Sequence, residues 1–82
     1  MMPLLAEFLG TLVFLYAVVK FGTPLAIGLG LAVATYLFNG QFNPAVTFMK
    51  FLTGSMSQMA MLKYVAVQLL AAYVMVMYLR RY

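Results

Sequence analysis

Four apolar stretches, parted by short breaks that carry Gly, Pro, Asn or Lys, occupy almost all of this sequence. The first, Pro3 to Val19, is closed by Lys20 and by Phe21-Gly22-Thr23-Pro24, where Gly and Pro interrupt any continuing helix. The second, Pro24 to Phe38, is uncharged and sets Ala26, Gly30 and Ala34 at four-residue spacing, a small-residue stripe that allows close helix contact. The clearest is Met59 to Leu79, interrupted only by Lys63 and Gln68 and followed by Arg80-Arg81-Tyr82. At roughly 20 residues per bilayer crossing, the pattern predicts three transmembrane helices, at about 3–19, 24–38 and 59–79, the second of them short.

Between the second and third spans the pattern changes. Asn39-Gly40-Gln41-Phe42-Asn43-Pro44 breaks any helix, and the apolar run that follows stops at Gly54-Ser55. Asn43 is suited to an N-cap, Pro44 to the first helical position and Gly54 to the left-handed position after the last turn. The punctuation predicts a short helix at about 44–53, rising about 15 Å, half of a hydrocarbon core about 30 Å thick. Such a helix reaches the middle of a bilayer without crossing it. Irregular backbone at that depth is tolerated where protein buries it or where it lines a water-filled cavity, so the Asn39–Asn43 stretch points to a pore. A surface loop followed by an interfacial helix accounts for the same punctuation.

Composition agrees with a membrane bundle. Hydrophobic residues make up 67% of the chain and charged residues 7%, far from the balance of a soluble domain. Three spans and a half-span leave no room in 82 residues for a soluble catalytic domain, so an integral, multi-pass membrane protein that is not an enzyme is expected. With no Cys and no His, disulfides, thiol chemistry and common metal sites are excluded, and no cofactor is expected. The net charge of +4 comes from Lys20, Lys50, Lys63, Arg80 and Arg81, scattered near predicted helix ends as anchors and not clustered as a nucleic-acid surface. Tyr16, Tyr64, Tyr78 and Tyr82 fit the same interfacial role. The N-terminal stretch lacks a basic leader and a small-x-small cleavage site, and reads as a retained first helix.

Asn43-Pro44-Ala45-Val46-Thr47, preceded by Gly40-Gln41-Phe42, resembles the signature of the aquaporin and aquaglyceroporin family. Ala6-Glu7-Phe8-Leu9-Gly10-Thr11 is similar to that family's opening helix, Ala26-Ile27-Gly28-Leu29-Gly30 to its second and Gln68-Leu69-Leu70-Ala71-Ala72 to its third, in the same order. The chain departs from the family pattern at Gln41, where His is common, at Ala71, where Gly is common, and in a shorter loop before Asn43. The resemblance covers one repeat of a pore that contains two inverted repeats. It implies an all-α membrane fold of three transmembrane helices and one re-entrant half-helix, one half of an aquaporin-like hourglass.

From that resemblance follows a passive channel for water and small neutral solutes such as glycerol. One repeat cannot enclose a pore, so the expected partner is a second, oppositely inserted copy, the two half-helices meeting tip to tip. By analogy with family tetramers of pores, eight chains would assemble. Asn43 would cap its helix with its side-chain oxygen and donate from its amide to a permeant molecule, with Pro44 and Ala45 completing the motif. The carbonyls of Asn39, Gly40, Gln41 and Phe42 would form an acceptor ladder. The resemblance implies that Glu7 braces the irregular loop by accepting its N–H groups, in preference to relaying protons; Gln68 is read as a helix-packing or loop-bracing amide. Where water-selective family members place an Arg after the second Asn-Pro-Ala, both halves here would carry Val46, giving an uncharged constriction shaped by Ile27, Leu31 and Val46. Lys50 and Lys63 fall on one side of the bilayer and Lys20, Arg80 and Arg81 on the other, a near balance that permits dual topology. Two other readings stand beside this one: a small structural or holin-like membrane protein, and a repeat that needs a different, complementary chain.

Overall fold

Local rules place the helix ends. The computed structural model describes residues 3–80, and among them are four α-helices and no strand: α1 (Pro3–Lys20), α2 (Pro24–Phe38), α3 (Pro44–Leu52) and α4 (Gln58–Arg80). Arg81 and Tyr82, expected to close the last span, lie outside the described residues. Thr23 is extended and its hydroxyl accepts the Ala26 N–H at 3.2 Å, with Pro24 in the first turn where its missing N–H removes no helix bond. Asn43 caps α3 in the same way, its Oδ1 accepting the Ala45 N–H at 2.8 Å ahead of Pro44. Ser57 Oγ accepts from the Ala60 N–H at 3.1 Å at the start of α4. After α1 and α3 the chain turns through Gly22 (φ 71°) and Gly54 (φ 82°), left-handed positions that a Cβ would strain.

α1 packs on both α2 and α4, and α3 packs on α4 alone. α2 runs antiparallel to α1: Gly30 faces Ala17, while the far end of α2 at Leu37 and Phe38 shares a cavity with Pro3, Ala6 and Glu7. Gly30 is required at that crossing, because a Cβ there would fall onto the Ala17 Cβ. α4 runs parallel to α1, with Gln68 beside Glu7 and then Val74, Met75 and Tyr78 beside Leu12, Val13 and Tyr16.

Large apolar side chains are mostly exposed, and several polar ones are buried. Buried apolar positions are mostly alanines, Ala6, Ala17, Ala34 and Ala71, joined by Phe42 and Met75. The largest fully buried side chains are Gln68, Glu7 and Thr47, all polar, while Leu25, Leu29, Leu52, Leu69 and Val76 are exposed. Small residues at helix contacts with polar groups between them are the packing mode of helices in lipid. α1 and α4 are each long and apolar enough to cross a membrane; α2, with 15 residues, is shorter.

Candidate functional site: a polar circuit that holds an irregular loop

Glu7, Gln41, Thr47 and Gln68 close a ring of hydrogen bonds that joins α1, the 39–43 loop, α3 and α4. The Glu7 carboxylate accepts the Gln41 N–H, with both oxygens at 3.0 Å, and also the Phe42 N–H. Gln68 Nε2 donates to Glu7 Oε1 and to Thr47 Oγ1, each at 2.8 Å. Thr47 then donates its hydroxyl to Gln41 Oε1 at 2.6 Å, which completes the circuit. The orientation of the Gln68 amide follows from chemistry, since the flipped form would set its oxygen against a carboxylate. Gln68 Oε1 and Thr11 Oγ1, the latter one turn above Glu7 on α1, are buried and have no partner among the described residues.

The loop that this circuit holds is far from regular. Asn39 (φ 51°) and Phe42 (φ 60°) both occupy the left-handed region without being glycine. For Phe42 that conformation costs about 1–2 kcal/mol. Burying its ring, which is 2% exposed, returns about 1.5–3 kcal/mol, and the bond from its N–H to a carboxylate adds about 1.5–3 kcal/mol. The two gains outweigh the strain. Room for the ring comes from Gly10 and Gly40, where a Cβ would collide with it; a Cβ at Gly40 would also strike Glu7 Oε2.

Two of the loop's N–H groups, those of Gln41 and Phe42, thus turn inward to Glu7, while the Asn39 N–H closes the end of α2 on the Thr35 carbonyl. The oxygens of Asn39, Gly40, Gln41 and Phe42 accept no hydrogen bond from any described residue. Asn43 is exposed, its Oδ1 used in the cap and its amide NH₂ without an acceptor among the described residues. Beside the loop lies a cavity of about 430 Å³ lined by Pro3, Ala6, Glu7, Leu37, Asn39 and Tyr64, among others.

The circuit stands near the middle of α4, while Glu7 is four residues after Pro3 at the start of α1. Gln68 stands ten residues after Gln58 and twelve before Arg80, about 15 Å and about 18 Å along α4. Lys20 on α1 lies thirteen residues beyond Glu7, about 20 Å in the same direction as Arg80. The N-terminus of α3, with Pro44 and Ala45 exposed, is therefore near mid-length of α4.

Other predicted residues are not gathered. Ile27 and Val46 are half-exposed, Leu31 is exposed, and α2 does not pack on α3, so one chain does not bring Ile27 and Leu31 to Val46. Sequence reasoning assigned no role to Thr47, Gly10 or the Phe42 ring. A threonine among apolar residues in the first turn of α3 was the available signal for Thr47; the Gly10 contact with Phe42 had none. Among the described residues no cluster of acidic, His or Cys side chains could hold a metal. No protein-family model matches the chain, and neither a curated protein nor a solved structure matches it.

Proposed function

We propose that this chain is one repeat of an aquaporin-like pore, a multi-pass membrane protein that conducts water and small neutral solutes passively as an inverted homodimer. Three helices, α1, α2 and α4, cross the bilayer, and α3 is a re-entrant half-helix whose N-terminus ends near the midplane. The observation that carries this reading is the loop near mid-length of α4: four consecutive carbonyls without partners among the described residues, next to an exposed Asn43 amide, in a backbone that a buried carboxylate holds through the Gln41 and Phe42 N–H groups. In hydrocarbon such a loop is stable only against water or protein, and a row of acceptors followed by a donor suits a file of water or hydroxyl groups. The reversed distribution of apolar and polar side chains supports the membrane setting.

One copy leaves this wall open on one side, and the second copy supplies the opposite wall. Two α3 helices of nine residues, each about 13 Å long, approach the ~30 Å core thickness when placed tip to tip. Their N-termini each carry about half a positive charge. A cation about 5 Å from their sum meets roughly 3 kcal/mol of repulsion at an effective dielectric near 20. Ions are thus disfavoured while neutral solutes pass. Ile27, Leu31 and Val46, contributed by both copies, form an apolar constriction without an arginine, which favours small polyols more than a strict water channel does. Reconstituting this chain alone in liposomes and following osmotic swelling by stopped flow tests the reading. Fast swelling with water and glycerol is expected; liposomes no more permeable than empty ones would favour a structural protein or a repeat that needs a different partner.

A further inference from the structure

Two apolar clefts flank the back of α1. One, of about 430 Å³, lies between α1 and α4 and is lined by Leu12, Val13, Tyr16, Val74, Met75 and Tyr78. The other, of about 340 Å³, lies between α1 and α2, where Val13 and Tyr16 again form one wall and Leu29, Gly30 and Val33 stand opposite. Val13 and Tyr16 are thus a ridge with a cleft on either side. Lys20 continues this ridge, since positions 13, 16 and 20 share one stripe of a helix. Tyr16 is nine residues from Glu7, two and a half turns, so the ridge is on the side of α1 turned away from the carboxylate that holds the 39–43 loop. A second copy that meets Asn43 across the pore does not cover it.

Charge and depth identify the occupant. Val74 and Tyr78 stand six and ten residues past Gln68, about 9 Å and about 15 Å along α4, within the outer half of one leaflet. Lys20 and Arg80, about 20 Å and about 18 Å from the circuit, reach headgroup depth. Both are exposed, and the only acidic side chain of the chain, Glu7, is engaged with Gln41, Phe42 and Gln68, so neither cation has a counterion among the described residues. The Tyr16 hydroxyl has no hydrogen bond with a described residue and can donate to a phosphodiester. We propose that the back of α1 binds one two-chain anionic phospholipid, its acyl chains in the two clefts astride Val13 and Tyr16 and its phosphate at Lys20, with Arg80 alongside. A headgroup that brings its own cation would set like charges together and is disfavoured. The inference rests on the membrane-spanning part of the proposed function and names the lipid that fits; an inverted pair presents one such site in each leaflet.

Phosphatidylglycerol and phosphatidylcholine, each spin-labelled on one acyl chain and added in trace to phosphatidylcholine liposomes holding the full chain, test this through the motionally restricted fraction. Phosphatidylglycerol should be preferred, and Lys20→Gln should cut the preference by about three- to fivefold. Lys63→Gln, near the start of α4, should leave it unchanged; an equal loss in both variants would reduce the effect to diffuse surface charge and overturn the proposal. One-chain lysophosphatidylglycerol should be held more weakly than the two-chain lipid, and equal retention would show that the clefts take no part. The chain has no cysteine, so Val13→Cys reports without background. Its linking to itself by a short thiol-to-thiol reagent would show that another copy, and not lipid, covers this face. Liposomes that swell but hold the two lipids equally would sink the lipid site and leave the channel standing. Selective retention that Lys20→Gln abolishes, in liposomes that do not swell, would keep the lipid site and remove the channel.

Discussion

The Phe42 ring fills the space that a side chain at Gly10 would need, so a residue of the first helix and one of the loop, 32 positions apart, set each other's conformation. Gly10→Ala should push the ring out of its seat and cost about 1–3 kcal/mol, the usual penalty for overpacking. Gly28→Ala is the matched control: nothing lies within 4 Å of a Cβ there, and removing a glycine from a helix interior should stabilise by about 0.5–1 kcal/mol. Thermal unfolding of both variants in detergent measures the difference.

Replacing Glu7 separates bracing from proton transfer. Glu7→Gln keeps an oxygen that can accept from the loop, and should retain much of the fold and of the swelling rate. Glu7→Leu leaves the Gln41 and Phe42 N–H groups and the Gln68 amide without their acceptor, at about 1–3 kcal/mol each, and should abolish assembly. A fully assembled Glu7→Gln channel whose flux had acquired a new pH dependence would point to a relay instead.

Thr47 links Gln68 to Gln41, a role that valine, similar in shape, cannot fill. Thr47→Val should destabilise by about 1–3 kcal/mol, because it orphans one donor of Gln68 and the Gln41 side-chain oxygen. Thr47→Ser should recover most of the loss. Size-exclusion profiles and melting temperatures of the pair distinguish hydrogen bonding from packing.

The proposed constriction of Ile27, Leu31 and Val46 carries no charge, and permeation should reflect that. Unmodified protein is expected to pass water and glycerol with negligible ion current, and Val46→Arg to reduce glycerol flux more than water flux, since bulk and charge narrow the opening. Swelling rates and planar-bilayer conductance on the same preparation address this; a steady cation current would show that the paired α3 termini do not exclude ions.

Both insertions should be populated. Phe21→Cys reports the end of the bundle that carries Lys20 and Arg80, and Ser55→Cys the end near Lys50. In intact cells each is expected to react with an impermeant thiol reagent from outside to a similar partial extent. Exclusive labelling of one position would rule out an inverted pair.

Helix boundaries and caps were legible in the residues because they depend on partners within one turn. The expected helix at 24–38 is α2, the stretch at 59–79 extends by one residue at each end to Gln58–Arg80, and the short helix expected to end at Thr53 has its last residue at Leu52 with Thr53 as its cap. Asn43 announces its role through a bond two residues away, and Gly54 through the sign of its own φ. The polar circuit is of another kind. Glu7 meets Phe42 across 35 positions and Gln68 across 61, and Gln68 meets Thr47 across 21. Those pairings require Glu7 on α1, Thr47 on α3 and Gln68 on α4 to stand at one height, with Gly10 leaving the space in which Phe42 seats. Side-chain types along a chain declare which helices form and which residues cannot be left unpaired. Only tertiary packing determines which of them meet, because helix register is a property of surfaces brought together and not of any one segment.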